Sequence, residues 1–211
     1  TKGDSYRAYK SQLAPYYRPD IDPVLEAIEQ AVVLMANAKR PVFYTGGGVI
    51  NAGANTSVVL RELVRMTGFP ITSTLMGLGA YPADDKQWLG MLGMHGTFEA
   101  NWAMHDCDVM INIGARFDDR VTGRIDKFSP NSQKIHVDID ASSINKNVTV
   151  DIPIVSDAER AIKMMIAVWK KKGYKADQGA MKDWWTQIEK WRAKNCLAYK
   201  KDPQIIKPQY A

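Results

Sequence analysis

The sequence predicts an α/β fold: a doubly wound, mostly parallel sheet of about six strands with helices on both faces, a Rossmann-like arrangement. Two observations predict it. Short apolar runs bounded by turn residues recur along the chain, at 42–45, 69–74, 89–92, 108–113, 135–139 and 152–155. Segments with helical apolar spacing separate most of these runs, and such alternation argues for parallel strands covered on both sides. In a sheet of this kind the loops leaving the carboxyl ends of the strands share one rim, and ligands sit outside it.

Taken in order, Thr1 to Asp20 is polar and tyrosine-rich, with Pro15 and Pro19, and reads as an irregular linker. Asp22-Pro23 has the pattern of a helix start. Val24, Ile28, Ala31, Val32 and Met35 then give an apolar stripe, and Pro41 follows the helix. The strand 42–45 runs into Gly46-Gly47-Gly48. A helix is expected over 58–66, stopped by Gly68. Beyond the runs near 69–74 and 89–92, Thr97 suits a helix cap, with Glu99 in the first turn and an end near Cys107. Asp108 to Ile113 reads as a buried strand. Asp138 and Asp140 fall on one face of the strand that begins at Ile135. Pro153 places the last strand at an edge. Ser156 and Asp157 open a helix over 158–172, and a second helix is expected from Met181 to about Tyr199. This divides the chain into a linker at 1–21, a binding domain at 22–172, and a C-terminal helix with a further linker at 173–211.

Composition excludes several classes. Apolar residues at 45% and charged residues at 24% are ordinary for a soluble globular protein. No apolar run approaches the ~18 residues of a membrane span. The first residues lack an apolar signal core, and the chain opens on Thr1, as if cut from something longer. The net charge of +5 is uneven: residues 1–158 hold 15 Lys+Arg against 18 Asp+Glu, and residues 159–211 hold 13 against 5. The basic excess therefore lies away from the rim. Trp184, Ile188 and Trp191 share one helix face and read as a docking face rather than as stacking residues for nucleic acid. Cys107 and Cys196 are far apart and read as free thiols.

The chemistry concentrates on the rim. Gly46-Gly47-Gly48 lets a backbone turn sharply or approach a ligand, but Asn51 breaks the G-x-G-x-x-G pattern and no acidic residue follows about twenty positions on. His95, between Met94 and Gly96, is either a donor to a polar ligand or a loop histidine bonded to a backbone carbonyl. Asp138 suits ribose hydroxyls, while Asp140 suits a cap for the turn at Ala141. Asp157 suits a helix cap or a ribose contact. Three histidines without cysteine or carboxylate at ligand spacing give no metal site.

Three stretches carry a resemblance: STLMGLGAYP at 73–82, LGMHG at 92–96 and GARFDDRVTG at 114–123. Together they resemble the middle domain of acetohydroxyacid synthase (acetolactate synthase) large subunits, which are thiamine-diphosphate enzymes. The resemblance covers roughly Asp22 to Lys172. It implies that the rim binds FAD through Gly47, Thr74, Leu75, Leu92, Gly93, Met94, His95, Gly114, Ala115, Arg116, Phe117, Asp118, Asp138, Ile139, Asp157 and Ala158. It further implies that Met94, Asp119 and Arg120 lie where substrate or inhibitor binds, Arg120 reading a 2-oxoacid carboxylate. The family joins pyruvate to pyruvate or 2-oxobutyrate, with loss of CO2 on thiamine diphosphate and Mg, for branched-chain amino-acid synthesis. FAD has no redox part in that reaction. The thiamine-activating Glu and the Mg-binding stretch belong to flanking domains, so no catalytic residue is expected in this chain and it is expected to be inactive alone. The implied partners are those domains, a homodimer or tetramer and a small regulatory subunit, in a bacterial cytoplasm; neither nucleic acid nor membrane is expected. The competing reading is a stand-alone nucleotide-binding or regulatory module. Its deacylase-like variant lacks the zinc cysteines here.

Overall fold

The computed structural model describes residues 23–206, so the expected linker at 1–21 lies outside the described residues. One sheet holds β1 (Pro41–Thr45), β2 (Ile71–Ser73), β3 (Trp88–Met91), β4 (Val109–Ile113), β5 (Gln133–Asp138) and β6 (Ile152–Val155). All of their pairings are parallel, and the order is β3-β2-β1-β4-β5-β6. The chain runs outward from β1 to β3, crosses back to β4, and runs outward the other way. The reversal between β1 and β4 is where an open α/β sheet leaves a crevice at its carboxyl edge. Thr45 pairs with Ile113, so both strands end at the same height there. Every residue of β1 and β4 is buried, which accounts for their near-continuous apolar character.

The helices are α1 (Leu25–Asn37), α2 (Gly47–Asn51), α3 (Ala54–Thr67), α4 (Phe98–Asp106), α5 (Asp119–Thr122), α6 (Ala158–Lys172) and α7 (Gln178–Arg192). α6 packs against α1 and α3. It buries Ile162, Met165, Ile166 and Trp169, a stripe at helical spacing. Each such side chain contributes roughly 1.5–3 kcal/mol on burial. α4 and α7 pack together, with Trp102 stacked on Trp191 at 6.2 Å between ring centroids. The face of α7 anticipated from spacing is buried, including Trp184, Ile188 and Trp191. Three donors fasten this helix down: the Trp184 indole to the Pro41 carbonyl of β1 (3.0 Å), the Trp185 indole to the Gly68 carbonyl at the end of α3 (3.0 Å), and Arg192 Nη2 to the Trp88 carbonyl of β3 (3.0 Å).

Several ends agree with the sequence. The Asp157 carboxylate caps α6, Thr97 caps α4, and Pro153 lies on the edge strand β6. Others differ. α1 opens at Leu25 behind an uncapped Val24, so Pro23 is not its first helical residue, and Asp22 lies outside the described residues. The helix expected over 58–66 starts four residues earlier, at Ala54, and a short helix, α2, precedes it. α7 starts at Gln178 because Asp177 accepts from the Ala180 N–H. It stops at Arg192 rather than near Tyr199, ahead of a left-handed Asn195 with φ of 47°. Both cysteines are free, and burial pushes the Cys107 thiol up to about 11. Among the described residues no helix is long and apolar enough to cross a membrane.

Candidate functional site

At the carboxyl ends of β1 and β4 the two departing loops touch backbone to backbone. Gly46 N–H donates to the Ile113 carbonyl (3.0 Å) and Gly48 N–H to the Gly114 carbonyl (3.0 Å). A Cβ on Gly48 would lie 2.6 Å from Gly114 Cα, and one on Gly46 would lie 2.3 Å from the Gly114 oxygen. Glycine is therefore required here by contact. Gly114 also has φ of 66°, which a residue with a Cβ resists.

The turn after β4 is locked from below. The buried Asn112 side chain donates to the Ala115 carbonyl (2.6 Å) and accepts from the Ala115 N–H (3.1 Å). Asn112→Ala is expected to leave both groups without partners and to cost about 1–3 kcal/mol. It should appear as a lower urea midpoint with an unchanged slope. Next comes Phe117, buried and with φ of 53° although it is not glycine. Its ring packs against Tyr44, Phe128 and His136, at 5.6, 5.8 and 5.1 Å between centroids. That packing sustains a backbone state costing about 1–3 kcal/mol. The exposed neighbours Arg116 and Asp118 form an ion pair at 2.7 Å.

The crevice is a groove of about 510 Å³. Of the residues expected at a site, Gly47, Thr74, Leu75, Gly114, Ala115, Arg116, Asp118, Arg120, Asp138 and Ile139 line it. Gly48 of the glycine run and Met76 of the stretch after β2 line it as well, together with Tyr44, Asn51 and Val121, which were not anticipated. Tyr44 was missed because it reads as ordinary strand core. The Tyr44 hydroxyl is buried without a hydrogen-bond partner; burial, and then the Asp118 carboxylate, raise its pKa, so it stays a neutral donor. Leu75 and Met76 expose apolar surface at the rim.

The loop Leu92 to Gly96 stands beside the groove rather than in its lining. A Cβ on Gly93 (φ 93°) would lie 3.0 Å from the Arg120 carbonyl. The Asn101 amide fixes Gly93 by accepting from its N–H (2.9 Å) and donating to its carbonyl (3.0 Å). Leu92 is buried and lines a smaller cavity of about 200 Å³. Met94 and His95 are exposed, and no carbonyl is bonded to the His95 imidazole among the described residues.

Four carboxylates divide their tasks. Asp119 accepts from the backbone N–H of Arg120 (3.0 Å), so it does not clamp the Arg120 guanidinium, which has no ion pair among the described residues. Asp138 is 8% exposed and faces the groove, with Oδ1 accepting from Asp140 N–H (2.9 Å). Asp140 caps the turn Ala141–Ser143 instead; hydrogen bonds from Ser142 hold its carboxyl below the usual range. Asp157, next to Ala158 and outside the groove lining, accepts from Glu159 N–H (2.9 Å) and Arg160 N–H (3.4 Å). Among the described residues no group of His, Cys, Asp and Glu is arranged to hold a metal ion.

This geometry has relatives. The family described as the central domain of thiamine pyrophosphate enzymes matches residues 28–165. An acetolactate synthase large subunit of Haemophilus influenzae is 44% identical over 193 residues, which is 92% of this chain and 33% of that protein. The acetolactate synthase isozyme 3 large subunit of Escherichia coli is 45% identical over the same shares. An acetolactate synthase of Mycobacterium leprae is 42% identical over 200 residues, covering 93% of this chain and 31% of that protein. The chain thus spans about a third of the length of the curated relatives it matches. With the parallel sheet, the crevice at its reversal and the matched span in agreement, the chain belongs to the thiamine pyrophosphate enzyme family, as a central domain.

Proposed function

We propose that this chain is the central domain of an acetolactate synthase large subunit and that its groove binds FAD. The observation that carries the enzyme assignment is identity of 44–45% across 92% of the chain to large subunits of that name. Three features of the groove support a flavin nucleotide. Its volume falls in the ~300–1,000 Å³ range usual for cofactor sites. The glycine contacts bring bare backbone to the groove wall, as close approach to a diphosphate requires. Polar Asp138 and Arg116 alternate with exposed apolar Leu75, Met76 and Ile139, which suits a ligand with a sugar-phosphate part and a flat ring.

In this reading Asp138 accepts from ribose hydroxyls, Arg116 faces the cofactor, and Arg120 meets the carboxylate of the second 2-oxoacid. The Leu92–His95 loop and Asp157-Ala158 extend the site beyond the groove. Thiamine diphosphate, held with Mg by flanking domains, supplies the decarboxylating chemistry that joins two pyruvates, or pyruvate and 2-oxobutyrate. The relatives' name, large subunit, accords with a smaller regulatory partner and a multimeric enzyme.

The test is retention of colour. The purified chain mixed with FAD and desalted is expected to keep flavin absorbance, and calorimetry is expected to give no comparable NAD binding. Tight NAD binding without FAD binding would defeat the cofactor assignment. The chain alone, given thiamine diphosphate, Mg and pyruvate, is expected to form no acetolactate; turnover by the pure chain would defeat the domain assignment.

A further inference from the structure

Beneath the β5 end of the groove lies an imidazole to which the binding reading gives no task. His136 is fully buried, and neither ring nitrogen has a hydrogen-bond partner. Burying an unpaired polar group is unfavourable, and such a group in a native fold calls for an explanation. The Asp138 carboxylate faces it, with Oδ2 at 3.7 Å from Nε2. That separation is too long for a hydrogen bond, and a small rotation of the carboxylate closes it.

The two carboxylate oxygens differ. Oδ1 is tethered by the Asp140 N–H at 2.9 Å. Oδ2 has no donor of its own and is the oxygen available both to His136 and to a ligand in the groove. The imidazole is held in place. Phe117 meets it edge to face at 5.1 Å, and its cross-strand neighbours are Asn112 on β4 and Pro153 on β6. Lys134, two residues upstream on the same strand face, turns its ammonium to the Ser129 and Ser132 carbonyls (3.1 and 2.9 Å) and does not compete for Asp138.

We propose that His136 is a positioning residue for Asp138. With its proton on Nε2 it donates to Oδ2 from the core side, fixing the carboxylate plane so that the outward lone pairs meet the two hydroxyls of a ribose. The ligand class is a nucleotide with an intact ribose diol, the adenosine end of FAD. The inference rests on the FAD reading of the groove.

The test compares FAD with FMN, which lacks the adenosine ribose, in equilibrium binding to the full 211-residue chain. His136→Phe keeps a ring against Phe117 but has no donor. It is expected to weaken FAD about tenfold, the scale of one hydrogen bond to a charged group, and to leave FMN unchanged. His136→Gln, which retains an N–H, is expected to recover part of the loss. With Asp138→Asn already present, His136→Phe is expected to add nothing. Equal losses for FAD and FMN, or additive losses in the double variant, would mean that His136 serves only packing, and the proposal falls. If the unaltered chain binds no FAD, the cofactor reading fails, and a ligand-free measurement decides this one. The Nε2–H proton resonance of His136 is expected to move in Asp138→Asn, and an unmoved resonance overturns the proposal.

Discussion

Gly114→Ala is expected to lower the unfolding free energy by about 2–5 kcal/mol. Roughly 1–2 kcal/mol comes from forcing a residue with a Cβ into the left-handed region. A further ~1–3 kcal/mol comes from overpacking, because the new Cβ would meet Gly48 Cα at 2.6 Å. Neither backbone can give way freely: Asn112 locks the β4 turn, and Gly46 is bonded to Ile113. The comparison is Gly68→Ala. Gly68 has φ of 75° but nothing within 4 Å of its would-be Cβ, so only the backbone part applies. Urea unfolding of the two variants separates the parts. Equal losses would show that contact between the two loops does not constrain position 114.

Arg120→Ala is expected to lower carboligation by one to two orders of magnitude in an intact enzyme carrying this domain, with pyruvate decarboxylation persisting. Arg120 lines the groove and its guanidinium is not committed to an ion pair among the described residues. A planar fork matches a carboxylate with two parallel hydrogen bonds. Hydrogen bonds to charged groups contribute about 1.5–3 kcal/mol, which sets the expected range. Arg120→Lys keeps the charge but loses the fork, so it should recover only part. The measurement separates carboligation kinetics at varied 2-oxoacid from decarboxylation and from flavin content. Unchanged acceptor kinetics, or loss of flavin alone, would remove Arg120 from the substrate site.

What the sequence made legible follows from how local each signal is. Pro153 at an edge, Asp157 as a cap and Asp140 as a cap beside a groove-facing Asp138 are decided within a few residues, and all three appear in the structure. The strand order is set by long-range packing, and no single run announces it. The start of α3 was hidden because Ala54-Asn55-Thr56-Ser57 has little apolar character, although Thr56 is buried. Tyr44 and Val121 line the groove but look like core residues in sequence. Their place at the site depends on which strands become neighbours. His136 carries no signal in the sequence for the same reason: only the fold brings its imidazole under Asp138 and against Phe117.

The bonds made by α7 bear on the order in which the chain can fold. Trp184, Trp185 and Arg192 reach back 143, 117 and 104 residues to the start of β1, the approach to β2 and the edge strand β3. Contacts across such separations form late, since closing a long loop precedes any gain from it. During synthesis, therefore, the first half of the sheet must wait for a helix made well after its own strands. Until then β3 is an open edge, and the Lys86 and Trp88 carbonyls that Arg192 later occupies at 3.2 and 3.0 Å can template another chain. Docking of α7 thus closes the window for aggregation, and a chain interrupted just before Gln178 would carry that hazard permanently.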